Sequence, residues 1–234
     1  MKNFIFKILA MAFASLFLLT GLAACGDAIK SGAAEAYFDQ GWDAYDAGDF
    51  DKALELFNKA IELDPAYAEA YYYRARVYAE LEEFMKELDD YDKAIELDPT
   101  LGDAYFWRGS FYDDVKEYEL ALADYNKAIE LMPDDASSYV MRALLHKSLE
   151  MYDEAIADYS KAIELRPDNA TAYGGRANIY FNLKRYNEAV ADYSKAIEFR
   201  PDYAAAYKNR GDAYFVLGED DLAEADYARA VELE

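Results

Sequence analysis

Apolar residues recur along this chain at helical spacing, in pairs of segments, and the pairs themselves recur every 34 residues. In the first unit Tyr37, Gly41 and Ala44 fall at i, i+4 and i+7. After a break at Ala47-Gly48-Asp49, the residues Phe50, Ala53, Leu54, Phe57, Ala60, Ile61 and Leu63 follow the same period. That spacing predicts two helices of about 13 residues joined by a short turn, an αα-hairpin. The stretch Lys59–Pro65 closes the unit and returns, with small changes, at Lys93–Pro99, Lys127–Pro133, Lys161–Pro167 and Lys195–Pro201, with a Pro-less copy at Arg229–Glu234. The residue before a proline avoids the α region and proline can open a following helix, so each proline is expected to end a second helix and start the next first one. A fixed period of this length marks a repeat protein, in which each hairpin buries its apolar face against its neighbour.

The unit resembles the tetratricopeptide repeat. Its first helix carries an aromatic residue (Tyr37, Tyr71, Tyr105, Tyr139, Tyr173, Tyr207) and a small one four later (Gly41, Ala75, Gly109, Ala143, Ala177, Gly211). The second helix carries Ala53, Ala121, Ala155, Ala189 and Ala223, then an aromatic at Phe57, Tyr91, Tyr125, Tyr159, Tyr193 and Tyr227, then an alanine in every unit. The resemblance covers residues 34–234 and implies an all-α, right-handed superhelical solenoid of six helix-turn-helix repeats, 34–67, 68–101, 102–135, 136–169, 170–203 and 204–234. Small residues let the two helices approach closely, so Ala128→Leu is expected to overpack the crossing by roughly 1–3 kcal/mol, measurable by urea unfolding. Glu87 departs from the pattern where other units have alanine, and local looseness is expected there.

Residues 1–24 stand apart. Lys2 and Lys7 precede the apolar run Ile8–Leu19, and small residues lead to Cys25. The run is short for a membrane span of about 20 residues, and the pattern is that of a secretory signal. Leu22-Ala23-Ala24-Cys25 resembles the lipobox of bacterial lipoproteins, which implies cleavage before Cys25 and lipid on that residue; an ordinary secreted protein or an uncleaved anchor is the alternative. Residues 25–33 then read as the lipidated cysteine and a flexible tether. The expected location is the bacterial cell envelope, lipid-anchored, with the repeats on the periplasmic or extracellular side. Cys25 is the one cysteine, so the core must stand without an intramolecular disulfide.

The formal charge is −23, and −25 without the two lysines of the acid-free leader. Such a surface disfavours nucleic acid and anionic membrane as partners and attracts a basic protein segment; acidic helices also simply keep an array soluble. No Gly-x-Ser-x-Gly, phosphate loop or Cys/His metal set occurs, and the single histidine, His146, occupies a column otherwise held by Ala44, Tyr78, Tyr112, Tyr180 and Tyr214. It reads as a packing substitute for tyrosine. Neither cofactor nor metal is expected, and the chain does not read as an enzyme.

Comparison of the repeats with one another adds a pairing. Arg74, Arg108, Arg142, Arg176 and Arg210 share a column, as do Asp90, Asp124, Asp158, Asp192 and Asp226; the first unit has Gln40 and Leu56 instead. Arginine and aspartate vanish together, which fits an ion pair between the two helices of one hairpin better than an arginine ladder for an anionic ligand. In the last unit Asp220 and Glu224 replace the aromatic and aliphatic residues of the other units, as a capping repeat without a following neighbour would require.

The family binds partner segments on exposed side chains of the first helices, in a concave groove. Carried onto this chain, the groove comprises Phe38, Trp42 and Tyr45, then Tyr72 and Arg76, then Phe106, Ser110 and Asp113. It continues through Val140, Leu144 and Lys147, then Asn178 and Phe181, then Lys208, Asp212 and Phe215. Some of these are equally suited to packing between neighbouring helices. Gly174-Gly175 would leave a notch in it, and Asn178 with Lys208 gives only part of the family's carboxylate clamp. The expected function is a membrane-tethered, non-catalytic adaptor for a basic or amphipathic protein segment, the alternative being a small-ligand or wall-fragment binder.

Overall fold

The computed structural model describes residues 31–233. Among them are twelve α-helices and no strand: α1 31–46, α2 Phe50–Leu63, α3 Ala68–Glu80, α4 Phe84–Leu97, α5 Gly102–Asp114, α6 Tyr118–Leu131, α7 Ala136–Ser148, α8 Tyr152–Leu165, α9 Ala170–Asn182, α10 Tyr186–Phe199, α11 Ala204–Leu217 and α12 Asp220–Leu233. They form six antiparallel hairpins, one per 34-residue unit. The chain divides into two bodies, one ending at Leu101 with α1–α4 and one beginning at Gly102 with α5–α12. The signal segment, Cys25 and most of the tether lie outside the described residues. Residues 31–33, which composition assigns to the tether, are helical and begin α1.

All six hairpins turn in the same way. Gly48, Glu82, Lys116, Glu150, Lys184 and Gly218 occupy one column and all have positive φ, between 57° and 79°. The next residue's N–H bonds to the carbonyl five back (Asp49 to Ala44 at 2.9 Å, Met151 to His146 at 2.8 Å), and the left-handed residue bonds three back. This is the Schellman ending, which satisfies the last carbonyls of a helix and favours glycine. Four units hold a side chain there at a cost of about 1 kcal/mol, against an entropic gain of about 0.5–1 kcal/mol from not being glycine in the unfolded chain. Glu150→Gly is therefore expected to be neutral or stabilising by up to about 0.5 kcal/mol; a clear fall in melting temperature would contradict this.

The prolines sit elsewhere than expected. Each lies in the turn, three residues before the next helix, and not at that helix's first position. The residue before it ends the second helix, in an extended conformation at Asp64 (φ −132°) and Arg166 (φ −135°), which is the restriction a following proline imposes.

The core is the small-and-aromatic ladder read from the sequence. Ala53, Ala121, Ala155 and Ala189 are fully buried, as are Ala60, Ala94, Ala128, Ala162 and Ala196, with Phe57, Tyr91, Tyr125, Tyr159 and Tyr193 between them. Glu87 is buried too, yet α4 runs its full 14 residues and keeps the same side-chain pair to α3 as other hairpins. No loosening results. Asp220 and Glu224 are exposed on α12.

Candidate functional site

The arginine and aspartate columns meet. Arg74, Arg108, Arg142, Arg176 and Arg210 each donate from Nε and Nη2 to both oxygens of Asp90, Asp124, Asp158, Asp192 and Asp226, at 2.6–2.9 Å. These bidentate pairs are mostly sequestered, the aspartates keeping a tenth or less of their side-chain surface. Nη1 then reaches the preceding hairpin: Arg74 to Asn58, Arg142 to Asn126, Arg176 to Ser160 and Arg210 to Ser194, at 2.6–2.9 Å. The arginines thus bind hairpin to hairpin as well as helix to helix. Hydrogen bonding to Asp192 and Asp226 holds the Arg176 and Arg210 guanidiniums above their ordinary pKa. In the first unit Gln40 bonds to Ala36 of its own helix and Leu56 fills the aspartate's place. This side of the hairpins is structural.

His146 is more than a packing substitute. Where Tyr78, Tyr180 and Tyr214 place a ring under the arginine at 5.7–5.9 Å, His146 turns Nδ1 to the Asp158 carboxylate at 3.0 Å. Among the described residues, no cluster of three or more His, Cys, Asp or Glu side chains is arranged to hold a metal ion.

The first-helix residues proposed for a groove divide. Tyr72 and Val140 are buried, 7 % and 8 % exposed, and belong to the core. Phe38, half-buried, packs on Phe57, Tyr67 and Tyr73 at 5.0–5.8 Å between ring centres, and Tyr45 on Phe50 and Tyr73. Phe106 packs on Trp107 and Tyr125. Phe38 thus meets the next hairpin through Tyr67 and Tyr73, and the aromatic character of these residues is spent on packing. Arg76 donates to the Tyr45 hydroxyl at 3.0 Å. Asp113 is half-buried, its carboxyl raised by burial and by Asp114; Ser110 is also half-buried. Trp42, Leu144, Lys208 and Phe215 are exposed.

The remaining groove residues come together in the second body. Lys147, Asn178, Phe181 and Asp212, on α7, α9 and α11, line a cavity of about 240 Å³ with Asn182, Tyr193 and Asn209. The Asn178 carbonyl accepts from the Tyr193 hydroxyl (2.6 Å) and from the Asn209 amide (3.0 Å), which fixes that side chain. Asp212 accepts from Tyr227 (2.9 Å) and from Lys208 (3.1 Å), so Lys208 is engaged and no carboxylate clamp forms. Burial raises the Tyr193 hydroxyl's pKa, with Asp212 adding to it. Sequence reasoning missed Asn182, Tyr193 and Asn209, although a signal existed: Asn178 and Asp212 stand 15 residues before Tyr193 and Tyr227, whereas Trp42 stands 15 before Phe57. In the fourth unit Leu144 holds that place, and the buried Tyr159 hydroxyl has no partner. An unpaired buried hydroxyl costs about 1–3 kcal/mol. Tyr159→Phe is accordingly expected to raise the free energy of unfolding by roughly 1 kcal/mol in urea denaturation; a loss of that size would contradict the assignment.

The Gly174-Gly175 notch is filled. A Cβ at Gly175 would lie 2.4 Å from Cζ of Tyr159, and one at Gly174 would lie 3.2 Å from Cε1 of Tyr203.

With this geometry in hand, comparison with known proteins is informative. Profiles described as tetratricopeptide repeat match residues 38–101 and 102–135, and one described as TPR repeat matches 144–184 and 177–218. The chain is a tetratricopeptide-repeat protein. Among solved structures it is similar to YrrB, described as a TPR protein with an unusual peptide-binding site (26 % identity, 78 % of this chain and 94 % of that one, TM-score 0.66). It is also similar to MamA (27 %, 74 % and 94 %, TM-score 0.63). PilF of Pseudomonas aeruginosa shares the fold at 21 % identity over 84 % and 90 % of the two chains, TM-score 0.77. A protein of Methanocaldococcus jannaschii is 53 % identical over 36 residues, 15 % of this chain; the chain spans 42 % of that relative's length.

Proposed function

We propose that this protein is a non-catalytic adaptor that captures a segment of a partner protein on the exposed side chains of its first helices. The observation that carries this reading is the cavity between α7, α9 and α11. There, first-helix residues with no part in the arginine–aspartate framework leave about 240 Å³ open beside donors, acceptors and an aromatic ring. Carboxamides, a lysine and a carboxylate around a ring suit a peptide, whose backbone offers both donors and acceptors and whose side chains supply apolar contact. The likeness to a structure described by its peptide-binding site agrees with it. The excess of acid over base favours a basic or amphipathic segment.

The proposal includes a lipid anchor at Cys25 and residence in the bacterial envelope, on the strength of the charged, apolar and small-residue pattern that ends at this cysteine. Two experiments test these points. Mass spectrometry of the mature protein is expected to find acylated Cys25 at the amino terminus, and Cys25→Ser to leave the membrane fraction; an unmodified Cys25 refutes the anchor. Partner capture from envelope extracts is expected to fall in Lys147→Glu and in Phe181→Ala relative to the unmodified chain. Equal capture by all three refutes the groove reading.

A further inference from the structure

The first body holds a second cavity, of about 420 Å³, lined by Phe38, Asp39, Trp42, Asp43 and Tyr73. That volume is ordinary for a ligand site, which spans about 300–1,000 Å³. Three aromatic rings and two carboxylates surround it, and among the described residues no cationic side chain lines it. Phe38 and Tyr73 are fixed walls: they pack on each other at 5.5 Å, Phe38 also on Tyr67 at 5.0 Å and Tyr73 on Tyr72 at 4.7 Å. Trp42 is different. It is 42 % exposed and makes no ring contact among the described residues. Asp39 and Asp43 stand one turn apart on α1, both exposed, and neither is paired with a cation among the described residues. Like charges at that spacing repel.

Elsewhere this chain repeatedly lays a cation over an aromatic ring. Arg74 lies 5.3 Å from the centre of Tyr71, Arg185 4.4 Å from that of Tyr180 and Arg200 4.7 Å from that of Tyr203. On α1 itself the ring of Tyr37 has Lys59 at 5.6 Å from its centre and that of Tyr45 has Arg76 at 5.9 Å, whereas Trp42, beside Asp39 and Asp43, has no cation over its ring among the described residues. The local field is negative: the hydroxyl of Tyr67, whose ring packs on Phe38, is pushed up to about 12 by burial and then by Glu69, Glu35, Asp39 and Asp64. Aromatic faces attract cations, tryptophan most strongly, and adjacent carboxylates add direct charge attraction.

We propose that this cavity seats one lysine or arginine side chain of a partner peptide. The apolar stem lies along Phe38 and Tyr73, and the charged end meets the face of Trp42 and the carboxylates of Asp39 and Asp43. This rests on the first-helix face being the binding surface, and it specifies the chemistry that face selects at its α1 end.

The test is a fluorescence titration of the full chain in detergent micelles, with Trp107→Phe so that Trp42 is the sole tryptophan. The probes are acetyl-Gly-Gly-Lys-Gly-Gly-amide and its arginine and norleucine counterparts. The lysine and arginine peptides are expected to change Trp42 emission saturably, with the norleucine peptide weaker by roughly tenfold. Asp39→Asn/Asp43→Asn is expected to weaken the lysine peptide by a similar factor while the melting curve stays in place. Norleucine binding as tight as lysine overturns the proposal, as does no response to any peptide. A shift on Lys30→Gln alone, without peptide, would show the chain's own lysine in the seat; emission that depends on protein concentration would show a second copy. Either overturns it. If the peptides fail here while partner capture is still lost in Lys147→Glu, the seat falls and the adaptor reading stands; if capture is insensitive to both sites, the adaptor reading falls as well.

Discussion

Arg176→Ala is expected to lower the stability of the second body by about 3–5 kcal/mol, the largest effect of any single truncation considered. The substitution strands the buried Asp192 carboxylate, which accepts from Nε and Nη2 at 2.7 and 2.9 Å. It also removes the bond from Nη1 to Ser160, at 2.8 Å, that ties α9 to the preceding hairpin, and a cation lying 5.8–5.9 Å from the centres of Tyr173 and Tyr180. The stranded charge accounts for most of the loss, since a buried pair contributes little beyond its own desolvation when intact. The double change Arg176→Met/Asp192→Leu should therefore recover most of the stability. Lys195→Ala is the control: its pair with Glu198, at 2.7 Å, is half exposed, and an exposed pair is worth under about 1 kcal/mol. Urea denaturation checks all three. If Arg176→Ala costs no more than Lys195→Ala, the columns are surface pairs and the framework assignment fails.

Gly175→Ala is expected to destabilise by about 1–3 kcal/mol, against intuition for a glycine inside a helix. Helix propensity alone favours alanine by about 1 kcal/mol. The added carbon, however, would meet Cζ of Tyr159 at 2.4 Å and its hydroxyl oxygen at 2.6 Å. Tyr159 is fully buried and cannot move aside cheaply. Steric overlap wins. At Gly174 the nearest atom would be 3.2 Å away, at the half-buried ring of Tyr203, so Gly174→Ala should be neutral or mildly stabilising. Gly175→Ala/Tyr159→Leu should lose less than Gly175→Ala alone. Thermal unfolding that shows both glycine variants alike would contradict the packing described.

Much of the architecture was legible because the chain carries six versions of one unit. Period and proline spacing placed the hairpins, and the joint loss of arginine and aspartate at Gln40 and Leu56 disclosed the ion pairs. The rest was hidden for physical reasons. Phe38, Tyr72, Phe106 and Val140 fall on the first-helix face, but whether such a residue meets solvent or the next hairpin depends on a neighbour 30 or so residues away, as Tyr67 and Tyr73 do for Phe38. The notch at Gly174-Gly175 looked open because Tyr159 and Tyr203 reach it from other segments. Left-handed turn residues were announced by Gly48 and Gly218 alone, since Glu82, Lys116, Glu150 and Lys184 adopt that conformation without the residue that normally signals it. Around the α9 cavity, Asn178 and Asp212 were found by column, whereas Asn209 and Tyr193 emerged from the hydrogen bonds that orient Asn178.

Site-specific photo-crosslinking tests the adaptor reading most directly. A benzophenone side chain placed at Phe181 or at Trp42, on first helices, is compared with one at Glu198 on α10, an exposed second-helix position. The account predicts covalent capture of a partner protein from Phe181 or Trp42 and little from Glu198. Capture from Glu198 alone, or equally from all three positions, would contradict it.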